Sequence, residues 1–205
     1  MKVQTRLIMC LMLFLSACQE DKRSVDEDII YFRLSNLENA GWKSQSVIQH
    51  IDGIDFQATE VPIQYYLLKE MGKTNLKAID SVYELNKHER ILELTFKHID
   101  KKDLLKEDFT NMDYSSSVRY MSFNIQNDFY VVTNKNDTVP CVGVNFERTF
   151  KVDSSNKILL FFNDVDPNQD LQLVYNDQLF DRGLIKFQFT KPIIKLDYVS
   201  ANQIE

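Results

Sequence analysis

Gly183-Leu184-Ile185-Lys186-Phe187-Gln188-Phe189-Thr190 decides the fold class, because Ile185, Phe187 and Phe189 alternate with Lys186, Gln188 and Thr190. In an extended chain successive side chains point to opposite faces. The alternation therefore gives one apolar face and one polar face, the mark of a half-buried strand. The same period returns in Leu92, Leu94 and Phe96 against Glu93, Thr95 and Lys97, and again over Leu171–Tyr175. Lys157–Phe162 (KILLFF) is a continuous apolar run, suited to a central strand. Asp128–Thr133 and Val139–Phe150 flank Asn134-Lys135-Asn136-Asp137, a hairpin-turn composition.

Outward from these anchors, period two is expected to begin near residue 77. Ser117–Ile125 is read as one more strand, and Lys191–Val199 as a final edge. Asp100–Phe109 is read as a connection with a helical turn capped by Asp100. Seven to nine short strands with frequent turn signals predict an antiparallel immunoglobulin-like β-sandwich over residues 77–197. A small mixed α/β region over 29–76 precedes it. Ile29–Leu34 reads as a strand, and 35–53, with the lone Trp42, stays ambiguous, a helix near Ser46–Ile51 being one option. Thr59–Met71 predicts a helix with Thr59 as N-cap, Pro62 in the first turn and Gly72 as the stop; a strand is the alternative.

The start of the chain carries an address. Lys2 and Arg6 precede the nine-residue apolar run Leu7–Leu15, then Ser16, Ala17 and Cys18. This is the layout of a secretory signal peptide, and the run is far short of the roughly 20 residues a spanning helix needs. Leu15-Ser16-Ala17-Cys18 resembles the lipobox of bacterial lipoproteins. That resemblance implies a signal peptide over 1–17, lipidation of Cys18 and anchoring without spanning, since two or more acyl chains hold firmly. Residues 18–28 would then be the lipidated cysteine and a flexible tether. Gln19 followed by Glu20-Asp21-Lys22 resembles the surface-export signal of Bacteroidetes-type lipoproteins, which implies the outer membrane and the cell surface.

Composition narrows the rest. Cleavage before Cys18 would leave 188 residues and move the net charge from −6 to −8, as Lys2 and Arg6 depart. An acidic surface disfavours nucleic acid as a partner. Cys10 departs too and Cys18 is acylated, so Cys141 is left without a disulfide partner and reads as a buried, inert thiol. Five glycines in the whole chain leave no glycine-rich phosphate loop.

Motifs for chemistry are sparse. His50, His88 and His98 lack metal-ligand spacing. Asp164, Asp166, Asn168 and Asp170 resemble the opening of an EF-hand calcium loop. Gln169 stands where that loop needs glycine, and Tyr175 where it needs glutamate. The segment reads first as a tight turn built on Pro167; the alternative is a Ca2+ site of another geometry. Asp80-Ser81-Val82 and Asp137-Thr138-Val139 resemble the O-glycosylation sequon of Bacteroidetes-type exported proteins, which implies attachment at Ser81 and Thr138. The leading expectation is a non-enzymatic, lipid-anchored binding or assembly module, with an envelope protein or glycan as partner. An envelope hydrolase acting on glycan or peptide and a calcium-stabilised adhesin are the alternatives.

Overall fold

The computed structural model describes residues 45–64, 66–67, 76–147 and 154–190. The reading of 1–17, Cys18, the tether, Ile29–Leu34, Trp42 and Lys191–Val199 lies outside these residues. The described chain forms two antiparallel sheets packed as a β-sandwich. The larger sheet has the order β1-β2-β3-β7-β6, from β1 (Ser46–Ile51), β2 (Ile54–Val61), β3 (Arg90–His98), β6 (Gly143–Glu147) and β7 (Ser155–Phe162). The smaller has the order β5-β4-β8-β9, from β4 (Phe129–Thr133), β5 (Thr138–Pro140), β8 (Leu171–Asp177) and β9 (Gly183–Phe189). Helix α1 (Leu76–Asn86) lies between β2 and β3; α2 (Glu107–Thr110) and α3 (Tyr114–Arg119) lie between β3 and β4.

Alternation in sequence becomes alternation in burial. Ile54, Phe56 and Ala58 of β2 and Leu92, Leu94 and Phe96 of β3 are fully buried. Ile185, Phe187 and Phe189 face them from β9. KILLFF is central as expected, paired with β3 on one side and β6 on the other. Aromatic rings bridge the two sheets. Tyr175 of the smaller sheet lies 5.9 Å from Phe96 of the larger, while Phe56 meets Phe96 edge to face at 5.7 Å within the larger sheet and Phe129 stacks on Tyr175 at 4.4 Å within the smaller. Each such ring contributes about 1.5–3 kcal/mol by burial, and pair geometry adds somewhat more.

The structure corrects several expectations. Ser46–Ile51 is a strand, not a helix, and with β2 it belongs to the larger sheet. The sandwich therefore takes in 46–61, ahead of the expected boundary at 77. Asp52 and Gly53 both have positive φ, +48° and +78°, and turn β1 into β2. Thr59 lies in β2 opposite Glu93 rather than capping a helix; strand pairing holds the chain to Val61, and helix begins at Ile63 after Pro62.

After β2 the period of two resumes only at Arg90, since 76–86 is helical. Ser117–Ile125 is helical too. Asp113 caps α3 by accepting the Ser116 N–H at 3.0 Å, and the chain continues through a π-helical turn at Tyr120–Asn124 and a 3-10 turn at Ile125–Asp128. Local capping outweighs the apparent alternation there. The helical turn expected at Asp100 sits at Glu107–Thr110 without a side-chain cap. Finally, Val139–Phe150 is not one strand: after Pro140 the chain leaves the smaller sheet and re-enters the larger one as β6, with the exposed Val142 in the link between them.

Candidate binding cleft

The inward row of β2 runs Ile54, Phe56, Ala58, Glu60, and that of β3 runs Arg90, Leu92, Leu94, Phe96. Each apolar row thus ends in a charge at the same end of the sandwich. Glu60 and Arg90 are 2% and 5% exposed and form a buried ion pair, with Nε and Nη2 of Arg90 both on Glu60 Oε1. Arg90 Nη1 also donates to the carbonyls of Asp166 at 3.0 Å and Gln169 at 2.9 Å. The guanidinium therefore pins the β7–β8 connection to the ends of β2 and β3.

This pair lines a small open cleft of about 30 Å³, together with Pro62, Ile63, Gln64 and Pro167; Tyr83, Lys87 and Glu89 also border it. Two buried atoms here have no hydrogen-bond partner: the second carboxylate oxygen of Glu60 and the side-chain nitrogen of Gln64. An unsatisfied buried polar group costs about 1–3 kcal/mol. Burial pushes the Glu60 carboxyl above its ordinary pKa, and the Arg90 guanidinium opposes that push.

The opposite end holds a second buried polar cluster, and its carboxylates are hydrogen-bonded. Asp177, 2% exposed, accepts the Tyr175 hydroxyl at 2.6 Å and the N–H groups of Leu179, Phe180 and Arg182 at 3.0, 2.9 and 3.0 Å. It folds the β8–β9 loop around one carboxylate. Beside it Asp128 accepts the Tyr120 hydroxyl at 2.7 Å. Burial, with the nearby Asp177 charge adding to it, pushes the Asp128 carboxyl up to about 6. Burial and the hydrogen bond to Asp128 both raise the Tyr120 hydroxyl in turn.

The residues singled out from sequence fall elsewhere. Asp164, Asp166, Asn168 and Asp170 lie in the connection between β7 and β8. Asp166 Oδ1 accepts the Asn168 N–H at 2.8 Å, and Asp164 takes a φ of +60°. The Arg90 cation occupies the adjacent carbonyls, and among the described residues no three His, Cys, Asp or Glu side chains are grouped to hold a metal ion. Thr138 is exposed at the start of β5, and Ser81 is exposed in α1. Cys141 is a buried free thiol whose pKa burial raises. The histidines are separate: His50 pairs with Asp55 at 2.6 Å, His88 is exposed, and His98 is buried against Phe109.

Glu60, Gln64, Arg90, Asp128 and Asp177 were not anticipated. The signal available was a charge in an inward register, visible only once the strand boundaries are known. Among the described residues no helix is long and apolar enough to cross a membrane. No family model matches the chain. No curated protein matches it either. Among solved structures, a DUF4426 family protein from Pseudomonas aeruginosa PAO1 aligns at 9% identity with a TM-score of 0.36, covering 74% of this chain and 97% of that one.

Proposed function

We propose that this protein is a lipid-anchored, immunoglobulin-like binding module of the cell envelope, held by acyl chains on Cys18 at the outer membrane and displayed at the cell surface. The observation that carries the binding role is the cleft at Glu60 and Gln64. There a buried acceptor of Glu60 and a buried donor of Gln64, both residues of the cleft wall, are left without a hydrogen-bond partner in the fold. Natural interiors satisfy nearly all such groups, so an exception in a cleft points to a partner that completes it.

Strand order supports the immunoglobulin-like assignment. β2-β3-β7-β6 facing β5-β4-β8-β9 follows the order A-B-E-D facing C′-C-F-G, with β1 added outside A. In this correspondence the helices α2 and α3 are an insertion between B and C. The lipobox resemblance at Leu15–Cys18 supports the anchor.

Cell fractionation combined with protease treatment of intact cells tests the reading. Wild-type protein is expected in the membrane fraction and open to external protease, whereas Cys18→Ala is expected in the soluble fraction. Equal partition of both into the soluble fraction overturns the anchor. Membrane-bound protein that resists external protease overturns the surface placement and leaves the periplasmic face.

A further inference from the structure

We infer that two copies of this chain pair along the outer edge of β1, antiparallel about a two-fold axis at Ile48, and so join their larger sheets into one. The inference goes beyond the binding role proposed above and does not rest on the cleft.

The first hairpin fixes which backbone groups point outward. The two-residue turn at Asp52-Gly53 makes Ile51 and Ile54 a hydrogen-bonded pair, and alternate pairs follow at Gln49↔Phe56 and Val47↔Ala58. The Glu60 N–H donates to the Gln45 carbonyl at 3.1 Å in the same phase. The N–H and C=O groups of Ser46, Ile48 and His50 therefore point away from β2. Among the described residues no strand lies on that side of β1. The Gln45 and Gln49 side chains do reach β9, at the Thr190 N–H and the Lys186 carbonyl. They share the inward face with Val47 and Ile51, which pack on the core, and so leave the outward backbone row uncovered.

The other sheet edges are protected. β5 is three residues long and ends in Pro140. β6 opens on a bulge, where the Val142 N–H donates to the Phe161 carbonyl while Gly143 stands opposite the same residue. β9 carries Lys186, and the two glutamines occupy groups along its edge. Short strands, proline, bulges and lysine are the devices that keep sheet edges from pairing. β1 (SVIQHI) has no proline, lysine or acid, and its Ile48 is 47% exposed.

Symmetry selects a second copy as the occupant. Ser46 and His50 are evenly spaced about Ile48. An antiparallel mate of the same sequence sets Ile48 against Ile48, and Ser46 against His50 in both directions. Each opposed pair then exchanges two N–H···O bonds, so every outward group finds a partner, as a self-complementary interface requires. Two apolar side chains meet on the axis. No like charges face each other across these rungs, although the whole chain carries a net charge of −6.

Oxidative cross-linking in intact cells that express the full chain tests the pairing. Opposed Cα atoms would lie about 5.5 Å apart, inside the roughly 4.4–6.8 Å that a disulfide spans. Ile48→Cys is expected to give a dimer on a non-reducing gel, with wild type, whose Cys141 is buried, setting the background. Ser46→Cys alone should not, since its two copies would lie about 14 Å apart along the ladder. Ser46→Cys co-expressed with His50→Cys should. Leu85→Cys, 85% exposed on α1, measures chance collision. Adding Ile48→Lys to the co-expressed pair should cut the yield about tenfold or more, because an apolar cross-strand pair becomes a like-charge one. The melting temperature should stay close to wild type, since Ile48 is half exposed. A dimer from Ile48→Cys no stronger than from Leu85→Cys, equal cross-linking by Ser46→Cys alone, or a yield indifferent to Ile48→Lys would each overturn the inference. Absent cross-linking together with slow hydrogen exchange at the Ile48 amide would overturn it too, and would show that another segment of the same chain covers the edge.

Discussion

Two carboxylates, Asp177 and Glu60, are equally buried at opposite ends of the sandwich, and their surroundings differ in kind. Asp177 receives four hydrogen bonds and organises the loop that follows it. Glu60 shares one oxygen with Arg90 and leaves the other unpaired next to a cleft. Burial alone therefore does not mark a functional carboxylate. What separates the two is whether the fold itself completes the polar group.

The largest test of that contrast is Asp177→Ala. It strands the Tyr175 hydroxyl and three backbone N–H groups, so chemical denaturation should report a loss of about 4 kcal/mol. A loss below about 1 kcal/mol would show that the loop holds without its carboxylate. Next comes Arg90→Met, which leaves Glu60 buried without its counter-charge and should cost about 3 kcal/mol. The double variant Glu60→Leu/Arg90→Met should recover most of this, since an apolar pair can replace a buried ion pair. If it does not, the contacts of Arg90 to the Asp166 and Gln169 carbonyls matter more than the pair.

Asp128→Asn sharpens the comparison through pH. The folded carboxyl titrates near about 6 rather than at 3.8, so the native state holds a proton that the unfolded state has lost between those values. Stability from this group is thus full below about pH 4, falls as pH rises towards 6, and stays lower above. Asn should flatten that fall and stabilise the protein at pH 8 by about 1 kcal/mol, discounting for solvent screening. An unchanged pH profile would place the titration elsewhere. The smallest effect belongs to Gln64→Leu, expected to change stability by under about 1 kcal/mol in either direction. A larger loss would mean that Gln64 supports the fold.

The sandwich was legible wherever one strand carried its own pattern. Arg90–His98, Ser155–Phe162 and Gly183–Phe189 each alternate or run apolar for most of their length. The first hairpin was missed although Asp52-Gly53 is a strong two-residue turn signal and Ile54, Phe56 and Ala58 alternate behind it. Ser117–Ile125 misled because its apolar residues fit a pleat, while the Asp113 cap that starts the helix is a local hydrogen bond outside the periodicity. The cleft was not legible. Glu60 and Arg90 lie 30 residues apart, and Arg90 reaches carbonyls 76 and 79 residues further on. Only the completed sheet brings them together.

The chain enters the described sandwich at Gln45 and leaves it at Thr190, and the Thr190 N–H donates to Gln45 Oε1 at 3.1 Å. Both ends of the unit thus emerge side by side, from the outermost strand of each sheet. Tension applied between them would peel β1 from β2 and β9 from β8 one ladder rung at a time, starting at Ser46↔Thr59 and Leu171↔Phe189. Peeling loads rungs in series, so single-molecule stretching should find a mechanically soft domain; high resistance would contradict the geometry.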